Sequence, residues 1–271
     1  MSGLKRILNE LTPPILKKAK RNLWKRIKPA SESRPDRQQV HKTIVVSRGN
    51  PKSLCYVAGD PIFKVPVARL RYPDGRGYTH EEHHFLQYYN SGLDTFRRYY
   101  QKHLPKNLYE FFGIDSPKIK NVEDCDLPAF PWLDETGLDS HCGEHGLSRE
   151  EGNQAFGPVS EKKLYLEAAR LDQVLKSIRN HGFRAEIGGY VRGYFMLRSN
   201  GEWVFVIREG FHRTAALVHL RFSAIDVQFA GKCPRSIEEV DSGEWPMVKN
   251  GLVSERAALA MFSRFFEHKN S

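Results

Sequence analysis

The sequence predicts an α+β protein, and three stretches carry that prediction. EKKLYLEAARLDQVLKSIRNHG, from Glu161 to Gly182, has the apolar period and end signals of a long helix. GYFMLR (193–198) and WVFVIR (203–208) read as two strands joined by SNGE, whose Asn200-Gly201 pair suits the positive backbone angles of a tight hairpin turn. HRTAALVHL (212–220) and IDVQF (225–229) then add a short helix and a further strand.

Residues 1–29 form a basic amphipathic segment. Leu4, Ile7, Leu8 and Leu11, then Ile15, Leu16, Ala19, Leu23 and Ile27, fall at helical spacing, and Pro13-Pro14 splits the run into two short helices. Residues 30–42 are a Pro-, Ser- and charge-rich linker. In the α/β extension, residues 43–155, TIVV is a short strand and PIFKVPVARLRY (61–72) is extended edge structure because of its two prolines. Thr79 is the expected N-cap of a helix through HEEHHFLQYYN, Leu93–Tyr100 gives another, and Pro105 opens a third that Gly113 stops. Residues 115–158 lack a sustained period and read as a long loop.

The central domain, residues 156–230, holds the long helix, with Ser160 as N-cap, Gly182 as stop and Leu164, Ala168, Leu171, Leu175 and Ile178 as its apolar face. Residues 231–271 supply a loop and a last helix capped by Ser254, which buries Ala257, Ala258, Met261, Phe262 and Phe265. Trp245 and Pro246 anchor that loop.

A net charge of +10 over 271 residues first suggests nucleic acid. Residues 1–28, however, hold nine basic residues against one acidic, so the remaining 243 carry only two net positive charges. A broad phosphate-tracking surface on the body is therefore not expected, and nucleic acid is the disfavoured partner. The basic helix, with Trp24 near its end, suits an anionic membrane surface; docking on its own domain or an arm on nucleic acid are the alternatives. Four scattered cysteines form no CxxC pair, which fits a reducing, cytoplasmic setting. Neither a spanning run nor a signal peptide is read, so the expectation is a cytoplasmic protein, peripheral on the inner face of the membrane.

The chemistry concentrates in REGFHRTAAL, Arg208–Leu217. A helix start offers unpaired backbone N–H groups and the positive end of the helix dipole, and Gly210 lets an oxyanion approach the backbone. Arg213 can pair with phosphate oxygens, and the Thr214 hydroxyl and His212 add donors. Glu209 suits Mg²⁺ or the orientation of an attacking hydroxyl, or serves as a charge partner for Arg213 or Arg208. Glu209 and His212 are thus the candidate catalytic residues, and Gly210, His212, Arg213 and Thr214 the candidate binding residues. Two further patterns are weighed and set aside. His80-Glu81-Glu82-His83-His84 satisfies HExxH, but in a short polar stretch it reads as a solvated helix start. His141-Cys142 with Glu144 and His145 could bind a metal, but two or three ligands in a loop make this the minor reading.

The run SIRNHGF, a hairpin, then EGFHRTAALVHLRFSAIDVQF resembles the superfamily that joins the N-terminal domain of chromosome-partitioning ParB, sulfiredoxin and a free-serine kinase. The resemblance covers about residues 156–230. It implies a core of a small mixed sheet with packed helices, and a turn and helix start that hold nucleotide phosphates: ATP, ADP or CTP, with Mg²⁺. The layout with the basic N-terminal helix, FGPVS and EWPMVKNGL also looks like uncharacterised ParB-like proteins encoded among bacterial surface-polysaccharide genes. Phe211 stands where sulfiredoxin places its reactive cysteine, so sulfinic-acid reduction is not implied. The turn is less arginine-rich than in nucleotide-hydrolysing ParB, and no helix-turn-helix follows. EGFHR keeps the acid, glycine and final His-Arg of the serine kinase's Asp-Gly-His-His-Arg turn. The expected function is a phosphotransferase or NTPase acting on a sugar or other small-molecule acceptor. The alternative is a non-catalytic module that binds nucleic acid or protein partners at the membrane surface.

Overall fold

A computed structural model describes residues 43–46, 50–114, 127, 129–134, 147–231 and 233–267. The chain divides into two units, Met1–Val40 and His41–Ser271, and all described residues belong to the second. The amphipathic segment, the linker, and His141, Cys142, Glu144 and His145 lie outside the described residues.

The fold is α+β, with helices around one seven-stranded mixed sheet. The strands are β1 (Ile44–Val45), β2 (Phe63–Pro66), β3 (Leu70–Arg71), β4 (Val191–Leu197), β5 (Trp203–Glu209), β6 (Ala224–Phe229) and β7 (Ser236–Glu238). Their order is β1-β2-β6-β4-β5-β3, and β7 pairs with β4 beyond the end of its ladder with β6. The β4–β5 hairpin is antiparallel, with Phe195 opposite Phe205 and Leu197 opposite Trp203. The stretches on either side of residues 156–230 thus add strands to the same sheet, so the expected division at 155 and 230 does not separate independent cores.

The helices are α1 (His84–Ser91), α2 (Leu93–Lys102), α3 (Leu108–Phe112), α4 (Glu161–His181), α5 (Ala185–Gly188), α6 (Phe211–His219), α7 (Pro246–Lys249) and α8 (Glu255–Glu267). The ends of α4 follow the sequence: the Ser160 side chain accepts a hydrogen bond from the Lys163 N–H, and Gly182 closes the helix at φ 72°. At α8, Ser254 Oγ accepts from the Ala257 N–H at 3.3 Å, and the five expected apolar residues are buried.

Three local expectations change. PIFKVPVARLRY does not run along an edge as a whole: β2 is paired on both sides, by β1 and β6, and only β3 lies at the sheet's edge. This arrangement tolerates proline because Pro66 stands at the last rung of β2. Helix α3 is capped by Asn107, whose side chain accepts from the Glu110 N–H, rather than opened by Pro105. Helix α1 starts at His84, capped by His83 Nδ1, and not at Thr79. Thr79 is used in a turn, its hydroxyl accepting from the Glu82 N–H at 3.3 Å, while Glu82 Oε2 accepts from the Gly77 N–H at 3.2 Å.

That shift removes the HExxH reading on geometry, because His80 precedes the helix and does not share a helical face with His84. The stretch is not a solvated helix start either: His83 and His84 are both 0% exposed. Their rings stack 5.0 Å apart at 6°, with Tyr78 over His83 and Tyr99 over His84. Among the described residues no group of three or more potential ligands is arranged to hold a metal ion.

Strands β4 and β5 are buried almost throughout because the sheet is covered on both faces. Successive residues of a strand point to opposite faces. Phe195 meets Phe63, Phe205 and Phe229, whereas the Tyr194 hydroxyl meets Trp132, whose indole N–H lies 2.9 Å away amid Trp245, Phe262 and Phe265. Trp245 therefore packs in the core, as its sequence context predicts. Helix α6 buries Ala215, Ala216 and Leu217 and packs against α1 and α4. This fixes its N-terminus beside the end of β5.

Candidate phosphate-binding pocket

The β5–α6 junction opens onto a pocket of about 650 Å³. Its other walls are the C-terminal half of α4 and the turn from Gly182 to Gly188. One side is apolar, with Val174, Ile178, Phe183, Ile187 and Phe211. The other gathers Arg170, Arg184, Arg208 and Arg213 with a single carboxylate, Glu209. The volume is in the range of small-ligand sites.

Gly210 is the hinge of this wall. It sits in the left-handed region at φ 93°, ψ 24°, as N-cap of α6, and offers no side chain to cap the helix. A Cβ there would lie 3.2 Å from Val191 Cα and from an Arg213 terminal nitrogen, so the close approach to β4 also requires glycine. The first N–H groups of α6 are thereby left for an external acceptor.

The remaining predicted site residues divide into those at the opening and those beneath it. Glu209 is at the opening: its side chain is 56% exposed and its carboxylate is 3.8 Å from the Arg192 guanidinium. Arg213 lines the pocket while one of its terminal nitrogens donates to the Gly188 and Gly189 carbonyl oxygens, clamping the turn before β4 onto α6. Partial burial lowers its pKa, and nearby Glu209 opposes that shift. Arg208 stacks over Phe130 at 4.5 Å.

Thr214 lies beneath. It is 0% exposed and its hydroxyl donates to the Gly210 carbonyl at 3.1 Å, so the expected ligand contact is replaced by a bond within the helix. His212 is also not an open donor: Nε2 lies 2.5 Å from Glu167 Oε2, and the ring stacks on Phe85. His212 is 7% exposed and contributes to the pocket wall.

Glu167 and Lys163, neither singled out by the sequence, underlie this wall. Both side chains are 0% exposed, with Lys163 Nζ 2.8 Å from Glu167 Oε1. Arg170 reaches the same oxygen at 3.4 Å from the pocket side. Burial pushes the Glu167 carboxyl upward, but the His212 hydrogen bond and the Lys163 ammonium outweigh it and hold the group at about 2. Burial lowers the His212 pKa against the opposing pull of Glu167. The signal was present in the sequence: Lys163 and Glu167 are four apart and directly flank the apolar positions Leu164 and Ala168.

Compared with family models, with curated proteins and with solved structures, the chain matches none. Among the described residues, no helix is long and apolar enough to cross a membrane.

Proposed function

We propose that this protein binds a nucleotide, ATP, ADP or CTP, in the pocket at Gly210–Arg213 and acts as a phosphotransferase or NTPase. The observation that carries the reading is the pairing of an uncapped helix start and four arginines with an apolar wall in one pocket. Phosphates suit the charged side and a nucleoside the apolar one. The likeness of the surrounding sequence to the ParB and sulfiredoxin superfamily supports the same ligand. Glu209 suits Mg²⁺ as one carboxylate at the rim, since Mg²⁺ commonly takes one or two carboxylates together with substrate phosphates. The acceptor is a sugar or other small molecule, in bacterial surface-polysaccharide metabolism. Residues 1–28 hold the protein peripherally on the cytoplasmic membrane face.

Calorimetry with ATP, ADP and CTP tests this reading, repeated with Arg213→Ala. Binding that weakens at least 10-fold in the variant is expected, since charge-assisted hydrogen bonds contribute about 1.5–3 kcal/mol. No binding of any of the three nucleotides refutes it. The Arg192–Glu209 ion pair favours the second reading, a non-catalytic module for nucleic acid or protein partners, and nucleotide binding without turnover is its signature.

A further inference from the structure

We infer that Glu167 is a positioning residue that fixes the proton of His212 on Nε2 and so presents Nδ1 as the proton acceptor for a hydroxyl in the pocket. The inference rests on the nucleotide reading for its substrate, and on the buried geometry for everything else. An ionised carboxylate only accepts hydrogen bonds. At 2.5 Å from Glu167 Oε2, His212 Nε2 therefore carries the hydrogen, which in a neutral ring leaves the basic lone pair on Nδ1. The same residue lines the pocket.

Everything packed around the pair holds this state. Lys163 Nζ occupies the other carboxylate oxygen at 2.8 Å and keeps Glu167 from turning away. Arg170 approaches that oxygen from α4, and His212 in turn helps to lower the pKa of His83, at the head of α1. Phe85 stacks on the ring at 4.8 Å and limits its rotation. Arg170 and Lys163 disfavour a resting positive charge on His212, whereas Glu167 stabilises the imidazolium formed when the ring takes a proton.

In the step this implies, the hydroxyl oxygen of water or an alcohol acceptor forms a bond to the terminal phosphorus of the bound nucleotide. The bond from that phosphorus to its bridging oxygen breaks, and the shortened nucleotide leaves with the electron pair. The hydroxyl proton passes to His212 Nδ1. His212 is then the catalytic base, and Glu167 acts through it.

Glu167→Gln separates this role from packing. Lys163 draws the amide oxygen, so the amide NH₂ faces Nε2 and drives the imidazole proton onto Nδ1. Nitrogen-15 spectra of the full chain with labelled histidine, assigned by loss of signal in His212→Asn, read the tautomer directly. The expected result is Nε2–H in the wild type and Nδ1–H in Glu167→Gln. Turnover of Mg²⁺-ATP should fall roughly 100-fold or more in kcat, with KM unchanged and the acidic limb of the pH profile lost. Nδ1–H in the wild type overturns the inference even if the variant does not fold, and so does a folded Glu167→Gln with full turnover. Absence of ATP binding by the wild type overturns the proposed function and with it the phosphoryl step, while the tautomer still reports on Glu167.

Discussion

Lowering the pH from about 6 to 5 should destabilise this protein far more than carboxylate chemistry alone would, because His83 and His84 are folded into the core as neutral rings. Burial lowers both far below the ordinary value of 6.5, and Arg76 adds to the shift in each. The sign follows from proton counting. Below pH 6.5 the unfolded chain takes up protons on these rings and the folded chain does not, so stability is full above that pH and is lost as pH falls. Each ring contributes up to about 1.4 kcal/mol per pH unit in that window, so the pair removes about 2–3 kcal/mol over one unit. His212 shifts in the same direction and steepens the slope. Glu167 adds nothing there, because its stabilisation is lost only between 4.5 and about 2. Urea unfolding at a series of pH values gives the slope, and His84→Gln should reduce it by about one ring's share. A midpoint that does not move between pH 6 and 5 would show that these imidazoles are not held neutral, and the buried stack would have to be redrawn.

Three other outcomes are expected. Glu167→Ala leaves the Lys163 ammonium buried without its carboxylate and should cost about 3–5 kcal/mol, whereas Lys163→Met combined with Glu167→Leu should recover most of that loss in denaturant unfolding. Gly210→Ala places a Cβ 3.2 Å from Val191 Cα at φ 93° and should cost about 1–2 kcal/mol, with ATP affinity reduced as well; unchanged unfolding would mean that the turn does not need its positive φ. Deleting residues 1–28 should abolish cosedimentation with anionic vesicles, and equal sedimentation of the shortened chain would rule out that segment as the anchor.

How far the sequence reached depended on whether a feature was local. The caps at Ser160 and Ser254, the stop at Gly182, the Asn200-Gly201 hairpin and the turn at Gly210 are each decided within a few residues, and each stands in the structure. The partners of β2 and β7 are set by residues far along the chain: Phe63 faces Val227, and Ile237 faces Met196. No period within either strand specifies such a pairing, so β2 read as an edge and β7 was not seen.

The same limit divides the site. Gly210 and Arg213 were legible because glycine and arginine at a helix start have few uses other than shaping an anion cradle or a clamp, and Arg213 acts visibly as a clamp on Gly188 and Gly189. His212 was found for the wrong surroundings. Beside Arg213 it read as another donor to phosphate, but α6 crosses α4, and that crossing puts its Nε2 on a carboxylate 45 residues upstream. The contact has a structural side, because the buried Glu167 carboxylate takes Lys163 on one oxygen and His212 on the other. In the inference drawn above the imidazole also takes its tautomer from Glu167, and His212 borders the pocket. This is the arrangement expected of a group whose proton affinity matters, and it shifts the chemical interest of the EGFHR turn from Glu209 at the rim to His212 in the wall.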